Sequence, residues 1–93
     1  MYHDTVEIYS DRTNAVVLRH PGRKYPGVLV QGDMLCHLLQ CADAACNAGK
    51  TQLDAGSYDT LTELRDHLLT WVDHYKTVLH EHEIHAQFVE PEA

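Results

Sequence analysis

Tyr25-Pro-Gly-Val-Leu-Val-Gln-Gly-Asp-Met-Leu-Cys-His-Leu-Leu39 changes from strand grammar to helix grammar halfway along. Pro26-Gly27 is a turn signal, and residues 28–31 form a short β-branched run. Gly32-Asp33 then releases the chain into a helix whose first free amides Asp33 is placed to cap. A strand-turn-helix corner of this kind implies a sheet on one side and helices packed on the other.

Outward from the corner toward the N-terminus, residues 20–27 read as a loop bracketed by two Pro-Gly turns. Ala15-Val-Val-Leu-Arg19 reads as a strand, residues 10–14 as a polar turn, and Thr5-Val-Glu-Ile-Tyr9 as a half-buried strand in which Val6 and Ile8 alternate with polar neighbours. These segments predict an antiparallel β-meander over residues 5–31.

Toward the C-terminus the period becomes helical. Leu35, Leu38, Leu39, Ala42, Ala45 and Cys46 share one face of a first helix over residues 33–48, with Gly49 free to take a left-handed cap and Lys50 at the negative end of the dipole. After a polar connector, a second helix is predicted over residues 57–85, its regular part opening at the capping box Thr60-Leu-Thr-Glu63. Residues 86–93 form a tail anchored by Phe88 and Val89. The predicted fold is thus α+β: a three-stranded antiparallel β-meander followed by two helices, the second long, in a single domain.

The second helix carries more apolar surface than the rest of the chain can plausibly cover. Leu61, Leu64, Leu68, Trp71, Tyr75 and Val78 keep a 3-4 spacing, while Leu69, Val72 and Leu79 widen the stripe. Two coverings are open: the first helix together with the tail, or a second copy of the chain. The second would be a homodimer with Leu64, Leu68, Trp71, Tyr75 and Val78 near its centre, Trp being a common energetic anchor of interfaces.

A chain of 93 residues supports one modest core, and no apolar run approaches the roughly 20 residues that span a bilayer. The N-terminus lacks the basic and apolar segments of a secretory signal, so a cytoplasmic location is expected. The formal charge of −7 is uneven. Residues 1–32 hold four basic and three acidic side chains, and residues 33–93 hold three basic and eleven acidic ones, giving +1 and then −8. A helical half this acidic repels phosphate backbones and attracts basic proteins. The residues picked out as partner-binding are Asp66, Asp73 and Trp71 on the second helix, with Arg19, Arg23 and Tyr25 around the loop before the corner.

Cys36, Cys41 and Cys46 are an odd set at five-residue spacing, a geometry that no disulfide within one helix tolerates, and are expected to be reduced. His37 adjoins Cys36 but points elsewhere on a helix, so no thiol nucleophile with a base is expected. Five of the eight histidines lie between His67 and His85. His80-Glu-His-Glu-Ile-His85 lacks the i, i+4 histidine pair of helical metalloproteases. It reads as solvated surface, with Glu81, His82 and His85 the residues at metal-ligand spacing. No P-loop, dinucleotide fingerprint, nucleophile elbow or CxxC pair is present, so neither an enzyme nor a bound cofactor is expected.

Two resemblances accompany this reading. The corner, with Pro26-Gly27, Gln31-Gly32-Asp33 and a helix bearing Ala42 and Ala45, resembles the core of HicB-type antitoxins over residues 5–47, although Met34, Cys36 and His37 stand where that family carries an acidic pair and Asn-Ala. The resemblance implies a partial ribonuclease-H-like fold and neutralisation of a small basic ribonuclease. Over nearly the whole chain, Glu7-Ile-Tyr-Ser10 with Asn14-Ala, Pro21-Gly-Arg23, Pro26-Gly27, Gln31-Gly-Asp33, His74-Tyr75, Val78-Leu79, His82 and Ile84 are similar to an uncharacterised family of small bacterial proteins. A Gly commonly follows the position of His82 in that family and ends the helix; Glu83 stands there in this chain and lets the helix run further. The sequence therefore points to a non-enzymatic protein-binding module, an antitoxin or immunity-type protein for a basic toxin or effector. The alternative is a small-molecule or metal-responsive regulator using the C-terminal His/Glu cluster.

Overall fold

The computed structural model describes residues 1–13 and 15–85, so the expected tail with Phe88 and Val89 lies outside the described residues. Strands β1 (Glu7–Ser10), β2 (Ala15–Arg19) and β3 (Gly27–Val30) are followed by helices α1 (Gly32–Gly49) and α2 (Ala55–Glu81), the α+β order that the sequence predicts. Packing divides the chain into a sheet unit, Met1–Gln31, and a helical unit that begins at Gly32.

In the sheet unit the strands pair antiparallel in the order β1-β2-β3. Val16 lies opposite Leu29, Val17 opposite Val28, and Ile8 opposite Leu18, with a bulge in β1 between Ile8 and Ser10. The period of two places Ile8, Val16, Leu18 and Leu29 on one face. The other face carries Glu7 opposite Arg19.

The helical unit is an antiparallel hairpin. Cys36, Leu39, Ala42 and Cys46 of α1 recur at helical spacing and are buried, as are Leu68 and Val72 of α2. Leu39, Ala42, Leu68 and Val72 form one cluster, with Leu35 packed against it. Burying such side chains contributes ~1.5–3 kcal/mol each, so this small core carries a large share of the stability of the hairpin. On the flank beside it, Arg65 reaches Asp43 across the helices at 3.4 Å.

Four helix-end expectations are corrected. α2 begins at Ala55, not at residue 57 or at Thr60: Asp54 is extended (φ −66, ψ 164) and accepts the Ser57 amide at 2.7 Å, while the Thr60 hydroxyl donates to the Gly56 carbonyl at 3.0 Å. A carboxylate with a free helix start three residues downstream satisfies amides earlier in the chain than Thr60 does. α1 begins at Gly32, which places Asp33 inside the first turn, where its carboxylate accepts the neighbouring Met34 amide at 2.8 Å and favours the positive end of the dipole without capping it. Gly49 does not adopt a left-handed conformation. Its carbonyl accepts the Gln52 and Leu53 amides at 3.1 and 2.9 Å, and the Leu53 side chain folds against it.

The fourth correction is at the far end of α2, which stops at Glu81 and not at residue 85. Glu83 itself takes the left-handed conformation, φ 56. Its amide donates to the His80 carbonyl at 3.1 Å and that of Ile84 to the Leu79 carbonyl at 2.9 Å, a closure that glycine usually provides. The helix therefore ends at the glycine position despite the glutamate.

Candidate functional site

The residues predicted to bind partners fall into the two units, and each set is described in its own unit. On the sheet unit, Arg19 is engaged at home. The Glu7 carboxylate accepts the Tyr9 hydroxyl at 2.6 Å and also pairs with the Arg19 guanidinium. Arg19 holds the Glu7 carboxyl below its ordinary range by hydrogen bonding, with Tyr9 acting in the same direction. The second end of Arg19 donates to the Arg23 carbonyl at 3.1 Å, which straps the loop to β2. Arg23 and Tyr25, by contrast, line an open groove of about 300 Å³ with Leu18, His20, Gly27, Val28 and Leu29.

On the helical unit, Asp66 and Asp73 are both exposed, and Asp59 extends their seven-residue spacing by one step. At about 100° and 1.5 Å per residue, positions 59, 66 and 73 form a line on the outer face of α2 with steps of roughly 10.5 Å. Glu63 stands beside that line and lies 3.7 Å from His67. Arg65 partly neutralises Asp66, its Nε donating to that carboxylate at 2.8 Å. The sequence reading picked out only two of the three aspartates, although the heptad step was there to extend.

Trp71 belongs to a different flank. It is 58% exposed, Leu64 53%, Leu38 41% and Met34 36%. On a helical projection Leu64 and Trp71 lie on the side of Leu68 and Val72 away from Arg65, and Met34 and Leu38 lie on the side of Leu39 and Cys46 away from Asp43. Since Arg65 and Asp43 meet across the hairpin, the four apolar side chains share its opposite flank. Leu68, expected at the centre of this surface, is buried against α1 instead. The His67 ring leans over Trp71 at 6.4 Å between centroids.

The metal candidates Glu81, His82 and His85 do not assemble. The left-handed turn at Glu83 breaks the helical spacing that would align His82 with His85. Among the described residues no group of three or more His, Cys, Asp or Glu side chains is placed to hold a metal ion. One pairing was missed: His37 Nε2 lies 3.6 Å from Cys41 Sγ, an i, i+4 contact on exposed α1, whereas the sequence reading weighed His37 only against its neighbour Cys36. None of the three cysteines forms a disulfide, and Cys36 and Cys46 are buried.

No helix among the described residues is long and apolar enough to cross a membrane. No curated protein and no solved structure matches the chain. A family model described as a family of unknown function (DUF6959) matches residues 1–88, and the chain belongs to that family.

Proposed function

We propose that this chain is a non-enzymatic, cytoplasmic protein-binding module of the antitoxin or immunity type, and that its helical unit neutralises a basic protein. The observation that carries this reading is the exposed line of Asp59, Asp66 and Asp73 along α2. An ordered row of carboxylates on a rigid helix, backed by the −8 surplus of residues 33–93, steers a basic partner and fixes its register. The resemblance of residues 5–47 to HicB-type antitoxins supports the same partner chemistry, and three cysteines outside any disulfide suit a reducing compartment. Affinity capture from cells of the source organism at low and high salt, followed by mass spectrometry, tests it. A stoichiometric basic protein, released as salt rises and not captured by the variant with Asp59, Asp66 and Asp73 changed to Asn, is expected. Salt-independent capture, or no basic protein, would overturn it.

A second surface favours a homodimer. The flank of Met34, Leu38, Leu64 and Trp71 is apolar and lies away from the aspartate line, so a second copy can cover it while the acidic face stays open. Sedimentation at tens of micromolar is expected to show twice the 10.6 kDa of one chain, and Trp71→Glu to return it to one chain with helicity retained. A monomeric wild type refutes the dimer and leaves the acidic face untouched.

A further inference from the structure

The groove of the sheet unit combines an apolar floor with a rim made of donors. Leu18 and Leu29, on one face of the sheet, supply the floor, and Gly27 leaves one side open, with nothing within 4 Å of where its Cβ would stand. His20, Arg23 and Tyr25 are the polar lining residues, and none of the lining residues carries a carboxylate. Part of the main chain of the loop is already engaged or has no donor. The Gly22 amide donates to His20 Nδ1 at 3.0 Å, the Arg23 amide donates to the His20 carbonyl at 2.9 Å, and Pro21 and Pro26 have no amide hydrogen.

The side chains supply the charged donors. With Nδ1 accepting, neutral His20 carries its proton on Nε2, where it is a donor. The Arg23 guanidinium, donor only, has no ion-pair partner among the described residues, whereas Arg19 beside it is held by Glu7. Lys24 adds a second cation, its ammonium 5.4 Å from the centroid of the Tyr25 ring. In a chain of net charge −7, a cationic rim over an apolar floor is a local inversion. We propose that this groove binds a small free carboxylate with an apolar body, of the arylalkanoate class: the apolar part rests on Leu18 and Leu29 and the carboxylate on Arg23. The volume of about 300 Å³ is at the small end of ligand pockets, roughly 300–1,000 Å³, which fits a small molecule better than a polypeptide segment. Arg19 acts through the loop as a positioning residue, since its bond to the Arg23 carbonyl sets where the rim stands.

This proposal is independent of the acidic face of α2. The test is an amide-resolved NMR titration of the whole chain with phenylacetate, acetate, phenylacetamide and a short peptide ending in Leu with a free carboxylate. Saturable shifts at Leu18, Val28 and Leu29 are expected with phenylacetate, and binding about tenfold or more weaker with acetate, which lacks the apolar body, and with phenylacetamide, which lacks the charge. Arg23→Gln is expected to weaken phenylacetate about tenfold, the loss of one charge-assisted bond, while amides of the helical unit keep their positions. Leu29→Ser, on the floor, is the second variant and is expected to weaken phenylacetate without restoring any preference for acetate. Phenylacetamide binding as tightly as phenylacetate, unchanged affinity in both variants, a peptide that outcompetes phenylacetate, or no saturable shift would each overturn the proposal.

Discussion

Gly32 and Tyr75 occupy the same space across the helical hairpin: a Cβ built on Gly32 would stand 2.2 Å from both Cζ and Oη of the Tyr75 ring. A larger residue at the start of α1 therefore has to push the outer end of the Tyr75 ring aside; the issue at Gly32 is room and not dihedral freedom, because no glycine of the chain has positive φ. Gly32→Ala is expected to destabilise by about 1–3 kcal/mol through overpacking, less up to about 1 kcal/mol from better helix propensity. Urea unfolding measures this. In a Tyr75→Leu background the penalty is expected to vanish, and an equal penalty in both backgrounds would show that the ring is not the cause.

Glu83 offers the reverse experiment. A glutamate at φ 56 bears the left-handed penalty of a side chain with a Cβ, so Glu83→Gly is expected to stabilise the chain by about 1 kcal/mol. The rise in melting temperature should be accompanied by unchanged helix content, since the helix already stops at Glu81. A lower melting temperature would mean that the Glu83 side chain makes a contribution larger than its strain.

The pH dependence of the sheet unit has a definite sign. Glu7 is held below the ordinary value of 4.5, first by its hydrogen bond from Arg19 and then by that from Tyr9. A carboxylate lowered in the folded state adds stability that is present above the unfolded value and is lost as pH falls through the folded one. Stability is therefore expected to drop as pH goes below about 4.5, and Glu7→Gln to flatten part of that drop. Asp54, lowered by the Ser57 amide at the start of α2, adds in the same direction, so the variant should retain the rest. A Glu7→Gln protein with the full acid dependence of the wild type would place the effect elsewhere.

Thiol chemistry separates the three cysteines. Cys41 is exposed, and Cys36 and Cys46 are buried in the core of the hairpin. Titration of the native protein with a disulfide reagent is expected to modify one thiol rapidly and the other two only as the hairpin opens. Cys41→Ser should remove the rapid phase alone. Three equal rates would show that the hairpin does not shield its own core.

Much of this architecture is legible in the sequence, and the exceptions share a cause. The 3.6-residue recurrence of Leu35, Leu39, Ala42 and Cys46 acts over one element, so reading locally was sufficient there, although Leu38 and Ala45, expected on the same face, are exposed. Val6 and Ile8, expected to be half-buried, are also exposed, with β1 starting only at Glu7, and Gly27 opens β3 instead of forming a turn. A local pattern says which residues share a face and not what covers it. The start of α2 was misplaced because two capping carboxylate or hydroxyl groups, Asp54 and Thr60, compete within one turn or so, and the sequence does not say which amides are still unpaired. Glu83 misled for a related reason, since propensity argues against a left-handed glutamate while the closing bonds to Leu79 and His80 favour it. Of the candidate site residues, Arg19 looked like part of a free cationic loop. Only the pairing of Glu7 opposite Arg19 across β1 and β2 shows it to be engaged, leaving Arg23 as the available cation.

The pairing of each element with its neighbour in the chain has a kinetic meaning. β1 pairs with β2, β2 with β3, and α1 with α2, each across a connection short enough that closing it costs little chain entropy. Contacts this local place the chain among proteins that fold in roughly microseconds to milliseconds. Among the described residues the meander takes no strand from further along the chain, so it can close while the helices are still being synthesised.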